Sequence, residues 1–261
     1  MNRIALQEST APGVAPHTLV DIARRTGFDS IGLRVSHTAG AEVRWHKGAG
    51  SAELAAVVEH LLANRVSVLD VGRVELGGRP NDASYRTVLD LASRLGARYV
   101  TASPVPGGGE ISSAADEFAR LVQDCDDYLL IPLLVPAPGS SVPTDAAALD
   151  VVRRVGGAVI VTATTDRSAF EIESQVLEAG NHLGYVRMLA EQLDRTTEEA
   201  SAGLLATVPV HVPVAVGSLT PEDRHDLDTR AHRWSVLVDR MLEHPLARDR
   251  RLSLGLDGPR D

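Results

Sequence analysis

Two charged residues sit inside otherwise apolar runs, Asp70 in SVLDVG and Arg187 in GYVRMLA. A charge in such a run needs a partner or a ligand. Asp70 suits a general base or a salt-bridge partner inside the fold. Arg187 suits an anion-binding cation at a strand end, or one half of a buried structural pair, with Asp70 as a candidate mate. Glu191 follows the Arg187 run directly and is a further candidate acid or base. Arg73 and Glu75 follow Asp70, and Arg73 reads as a substrate-binding cation or as a loop-surface charge. The stretch SHTAGAEVRWHKGAG brings His37 close to Arg44, His46 and Lys47. It reads as a lid carrying an acid-base histidine, or as an ordinary exposed loop. SPVPGGGEISS places three glycines before a helix, where backbone N–H groups can cradle an anion. It lacks the lysine of a phosphate-binding loop, and a plain loop is the simpler reading. No histidine pairs with a serine or cysteine nucleophile, so a hydrolase triad has little support.

The elements that must position these residues alternate from end to end. β-rich apolar runs predict strands at 3–8, 29–35, 66–72, 98–103, 129–135, 158–163, 184–190 and 210–216. Their starts recur about every 30 residues, the length of a β-turn-α-turn unit. Between them lie helical patterns with their own punctuation. Leu19, Ile22 and Ala23 share one face before Gly27, and Val88, Leu91, Ala92 and Leu95 share another before Gly96. Thr220 and Pro221 predict the start of a last helix over 221–243. Eight such units close as a (β/α)8 barrel, which typically takes about 250 residues. An open doubly wound sheet is the competitor, but it usually has fewer strands. The barrel is expected over residues 1–246 as one domain, with 247–261 as a tail or an arm onto a neighbouring subunit. That arm leaves a homodimer open. In such a barrel the working face is the C-terminal ends of the strands.

Composition narrows the class. Of 261 residues 44% are hydrophobic, which suits one large domain or two small ones. The single Cys125 excludes an internal disulfide and fits a reducing, cytoplasmic setting. The N-terminus MNRIALQEST has no signal-peptide pattern, and no run approaches the ~18 apolar residues of a membrane span. A net charge of −9 and only 3% aromatic residues argue against nucleic acid as a partner. The expected partner is a small-molecule substrate, with no membrane and no cofactor.

The stretches LVDIARRTGFDSIGLRV, VSVLDVGRVEL, YRTVLDLASRLGARYV, HLGYVRML and VPVAVGS resemble the xylose-isomerase-like barrels. This group holds sugar-phosphate isomerases and epimerases and the second family of apurinic endonucleases. The resemblance implies the single TIM barrel already inferred, and a divalent ion held by carboxylates and a histidine at the ends of strands 5 to 8. At the matching positions this chain has Leu134 on strand 5, Thr162 and Thr165 on strand 6 and Ala215 on strand 8, and strand 7 offers only Arg187, Met188, Leu189 and Ala190 where a ligand is expected. On strand 3, Gly72 stands where a glutamate is often found. A hard cation wants about six oxygen donors, several of them charged, which these residues do not supply. The expectation is therefore no metal, with Leu134, Thr162, Thr165 and Ala215 lining a substrate cup beside Arg187 and Arg73. Asp70, His37 and Glu191 are left as catalytic candidates. The function expected is that of a metal-independent isomerase, epimerase, lyase or cyclase acting on a small oxygenated metabolite, in specialised metabolism. The alternative is a catalytically inactive barrel that binds a ligand or a partner subunit. The endonuclease reading fails on missing ligands and acidic charge.

Overall fold

The computed structural model describes residues 4–35, 52–77, 82–107, 111–164, 167–195, 205–218 and 226–256. The strands are β1 (Ile4–Gln7), β2 (Ser30–Arg34), β3 (Ser67–Leu76), β4 (Tyr99–Pro104), β5 (Ile131–Leu134), β6 (Ala158–Ala163), β7 (Leu183–Leu189) and β8 (Val214–Gly217). They close in chain order into an eight-stranded barrel, and the paired strands run parallel. The helices among the described residues are α1 (Pro16–Thr26), α2 (Ala52–Asn64), α3 (Asp82–Arg94), α4 (Ile111–Asp126), α5 (Asp145–Val155), α6 (Ala169–Ala179), α7 (Ala190–Leu193), α8 (Leu227–Glu243) and α9 (Pro245–Ser253). This is the (β/α)8 barrel the spacing predicts. By contact density the chain gathers into two compact units, Met1–Ile31 with Asn64–Val66 and Val161–Asp261, and Gly32–Ala63 with Ser67–Ile160.

In the first unit β8 pairs with β7 on one side and β1 on the other, with Val214 opposite both Val186 and Ile4. Strands covered on both faces read as apolar runs rather than alternating ones. Leu6, Tyr185, Met188 and Trp234 are fully buried here. Each buried aliphatic side chain of this size contributes about 1.5–3 kcal/mol. β8 begins four residues later than its Val-rich run predicts. Pro209 and Pro213 have no N–H to give a ladder. Residues 205–212 turn instead, with the Val212 N–H bonded to the Pro209 carbonyl at 2.9 Å, and the Pro213 carbonyl joins the sheet, accepting from Val186.

The segment expected as a tail departs from that expectation over its first half. Residues 245–253 form α9, with Ala247 fully buried. Arg251 is buried too, its guanidinium bonded to the Leu242 carbonyl at 2.8 Å, and Arg250 pairs with Glu173 of α6. The run ARDRRLSL looked solvated because only one small residue and an arginine stem face inward. At the other end of α8, the described helix starts at Leu227, and the expected Thr220 cap lies outside the described residues.

In the second unit β3 continues four residues beyond its predicted end, to Leu76. The extension pairs Val74–Leu76 with Ala102–Pro104 after a register shift past Gly72. β5 is shorter than its apolar run. Leu129 adopts a left-handed conformation and is exposed, and Leu130 closes α4 by donating to the Cys125 carbonyl. Gly157 fixes the entry to β6. It has φ +84°, and a Cβ there would meet the Pro132 carbonyl at 2.9 Å and the Phe118 ring at 3.0 Å.

Candidate functional site

In the first unit a set of polar side chains collects where β6, β7 and β8 end. β6 and β7 are buried along their length except at one position each, Thr162 and Arg187. These two meet: Arg187 Nη2 donates to Thr162 Oγ1 at 3.0 Å. Ala215 is the register partner of Arg187 on β8 and adds no polar atom. The arginine stem runs over Gly217, where a Cβ would lie 3.2 Å from Arg187 Cδ and 3.1 Å from Ser9 Oγ. Glycine at this position therefore leaves room for the stem.

Beyond Gly217 the chain continues into a hydrogen-bonded relay. The Ser218 N–H donates to Ser9 Oγ at 3.1 Å, and Ser218 Oγ donates to Glu191 Oε1 at 2.5 Å. Glu191 sits in the first turn of α7, directly after β7. Two donors here have no partner among the described residues, the buried Arg187 Nε and Thr164 Oγ1. No carboxylate among the described residues pairs with Arg187. Among the described residues this guanidinium is held by a single neutral hydroxyl, and a half-buried charge of that kind calls for compensation.

The second unit presents a different set. Asp70 is buried at 4% exposure, opposite Tyr99, and is not without a partner. Leu134 is buried at 1% and apolar on every side chain atom. A Cβ on Gly72 would fall 2.0 Å from Thr101 Oγ1, so the neighbouring threonine occupies the space a side chain would need. Arg73 and Glu75 point outward, 47% and 44% exposed, and pair loosely at 3.8 Å. Such a pair is worth little. The Gly107 N–H bonds to the Gly139 carbonyl, and Gly77 donates to Glu117, so these turns are tied within the unit.

The predicted site residues thus divide. Thr162, Arg187 and Ala215 come together, and Glu191 stands beside them through Ser218. Asp70, Arg73 and Leu134 belong to the other unit. His37 and Thr165 lie outside the described residues. Sequence reasoning missed Ser9, Ser218 and Thr164. Ser9 and Ser218 are 209 positions apart, and only the pairing of β1 with β8 brings them together. Among the described residues no three His, Cys, Asp or Glu side chains cluster as a metal would require, and no helix is long and apolar enough to cross a membrane.

The fold matches many solved structures. A xylose isomerase-like TIM barrel/4-hydroxyphenylpyruvate dioxygenase fusion protein aligns at TM-score 0.70 and 14% identity, over 99% of this chain and 45% of that one. The chain thus spans about half the length of that fusion. The D-allulose 3-epimerase from Methylomonas sp. aligns at TM-score 0.69 and 16% identity, covering 92% of this chain and 98% of the other. The IOLI protein, solved with a binding zinc atom, aligns at TM-score 0.66 and 13% identity, over 93% and 99%. The chain therefore has the xylose-isomerase-like TIM-barrel fold. No family model matches it, and no curated protein matches its sequence.

Proposed function

We propose that this protein is an isomerase or epimerase-like enzyme that moves a proton on a small oxygenated metabolite without a divalent ion. One observation carries the reading: the Arg187 guanidinium lies at the strand ends with Thr162 as its only partner among the described residues. An epimerase and a protein solved with a zinc atom are among the structures of similar fold, and in barrels of this architecture the strand ends are the working face. The described residues do not fit a metal at the same place. Thr162 spends its oxygen on Arg187, Ala215 has no donor, and a guanidinium repels a dication brought within a few ångströms. The positive charge is instead built into the chain.

In this reading Glu191 takes the proton from a carbon next to a carbonyl. The electron pair of the broken C–H bond moves onto the carbonyl oxygen, and Arg187 stabilises that oxyanion as it forms. On a hydroxyketone Glu191 then returns the proton to the former carbonyl carbon as the neighbouring hydroxyl's proton passes to the oxyanion, which completes an isomerisation, while elimination of a leaving group from the same intermediate gives the lyase variant. Ser218 holds the carboxylate by its 2.5 Å hydrogen bond. Donors fixed before the charge develops are the efficient way to stabilise it. Asp70 and His37 remain separate candidates for acid-base work, each tested by its own variant.

The test is solvent hydrogen exchange. Protein in deuterated water is offered a panel of hydroxyketones, ketoses and hydroxy acids, and loss of the C–H signal is followed by NMR. Exchange into at least one compound, abolished in Glu191→Gln, is the expected result. A compound that binds saturably yet never exchanges would support the inactive, ligand-binding barrel instead.

A further inference from the structure

Resting on that reading, we propose that the substrate carries a carboxylate beside its reactive oxygen, as in a small 2-hydroxy or 2-oxo acid, and that Arg187 holds both oxygens side by side. Three observations converge. The first is charge. The guanidinium sits at the one half-buried position of a buried strand, with a neutral hydroxyl as its partner and no carboxylate among the described residues paired with it. A cation so placed is stabilised by an arriving anion. The second is geometry. A planar guanidinium offers parallel donors that match two oxygens on adjacent carbons, or the two of one carboxylate. Its Nε has no acceptor among the described residues, and Thr164 Oγ1, one residue past the end of β6, is a second buried donor without one there. The third is the size of the charge. A phosphate dianion usually meets several cations or a row of backbone N–H groups. The next described cation after β6, Arg167, is already bonded to Gln175 at 2.7 Å. One guanidinium and one hydroxyl suit a monoanion.

The surroundings agree with this placement. Ala215 and Gly217 bring no side chain that could neutralise the guanidinium, and Gly217 leaves the stem its space. Glu191, the carboxylate at this end, is held by Ser218 and is the group the proposed reaction uses. With the carboxylate docked on Arg187, the carbon that bears the neighbouring oxygen is fixed where a base can reach it. The salt bridge then serves for both binding and orientation.

The experiment uses the whole chain labelled with nitrogen-15. The Arg187 Nε–H resonance is assigned by its absence in Arg187→Gln and is titrated with glycolate, inorganic phosphate and, as a neutral control, ethylene glycol. Glycolate should shift it saturably, more weakly at high salt, and ethylene glycol should leave it still. Arg187→Gln should weaken glycolate binding by about tenfold or more, read by calorimetry. If that variant folds poorly, Thr164→Val supplies the second reading, with glycolate bound severalfold more weakly at an unchanged melting temperature. Tighter binding of phosphate than of glycolate would overturn the assignment in favour of a phosphate-bearing substrate. No shift with either anion would overturn it outright. The two readings fail separately. Glycolate binding without hydrogen exchange on any compound sinks the enzymatic reading and leaves the carboxylate site standing. Exchange on neutral hydroxyketones that glycolate does not inhibit sinks the carboxylate site alone.

Discussion

The strand ends of the two units differ in kind. In the unit that holds β7 and β8, small residues (Ala215, Gly217) open space, and hydroxyls and charges fill it: Thr162, Arg187, Ser218, Ser9 and Glu191. In the unit that holds β3 to β5, Thr101 fills the space over Gly72, Leu134 is sealed in, and Arg73 and Glu75 turn out to solvent. Both sets come from strands of the same apolar composition. The comparison teaches that a missing side chain has two meanings. Gly217 makes room for a functional group, whereas Gly72 makes room for the packing of a neighbour. Only the first leaves a half-buried charge at the strand ends.

The largest effect that could break this contrast is expected at Arg187. Arg187→Met should lower turnover on any accepted substrate by about a hundredfold or more, the scale of losing one preorganised donor to a developing oxyanion. Its stability should change by no more than about 1 kcal/mol, because one hydrogen bond and no carboxylate pair is lost. Calorimetric unfolding beside steady-state kinetics checks both. A variant that unfolds would make Arg187 a structural residue and erase the difference between the units. The next effect lies in the other unit. Gly72→Glu should destabilise the fold by about 1–3 kcal/mol through overpacking against Thr101, and Thr101→Gly should recover part of that loss in the double variant. Denaturant titration of the four-member cycle measures it.

A smaller change is expected for Ser218→Ala, which should cut turnover by about tenfold with KM nearly constant, since a hydrogen bond to a carboxylate is lost without a contact to substrate. Ser218→Thr should restore most of the rate. Arg73→Ala should change stability by less than about 0.5 kcal/mol and leave turnover near that of the parent. The quietest expectation concerns Cys125. Burial first, and then the charges of Asp124 and Asp126, push its thiol up to about 12. Only the thiolate is reactive. Iodoacetamide at mildly alkaline pH should therefore leave the folded protein unlabelled and modify it rapidly once unfolded. With a folded value above the ordinary value near about 8.5, the thiol's contribution to stability is present below that pH and fades as pH rises toward about 12.

Much of the barrel was legible because buried parallel strands must be apolar and must recur at the length of one β-α unit. All eight predicted runs overlap a strand. Their ends were less legible. Pro213 delays β8 and the left-handed Leu129 delays β5, and both effects depend on which backbone N–H groups the ladder needs. Arg187 stood out in the sequence because a charge breaks an apolar run visibly. Its tie to Thr162 did not, since a contact between strands 25 residues apart leaves no local mark. The Ser9–Ser218–Glu191 relay was hidden for the same reason, as it forms only where β8 returns to β1. Gly72 read as a lost ligand, and the structure adds the cause a single sequence conceals, the side chain of Thr101 opposite.

In the proposed mechanism a guanidinium, not a divalent ion, supplies the positive charge at the β7 strand end. Its most direct test is the rate of solvent hydrogen exchange on an accepted substrate, measured on chelator-treated protein and again after manganese or zinc is added back. The rate should be unchanged in the parent protein under both conditions, and lower in Arg187→Met by about a hundredfold or more with no rescue by metal. A parent rate that collapses on chelation and returns with the ion would contradict it.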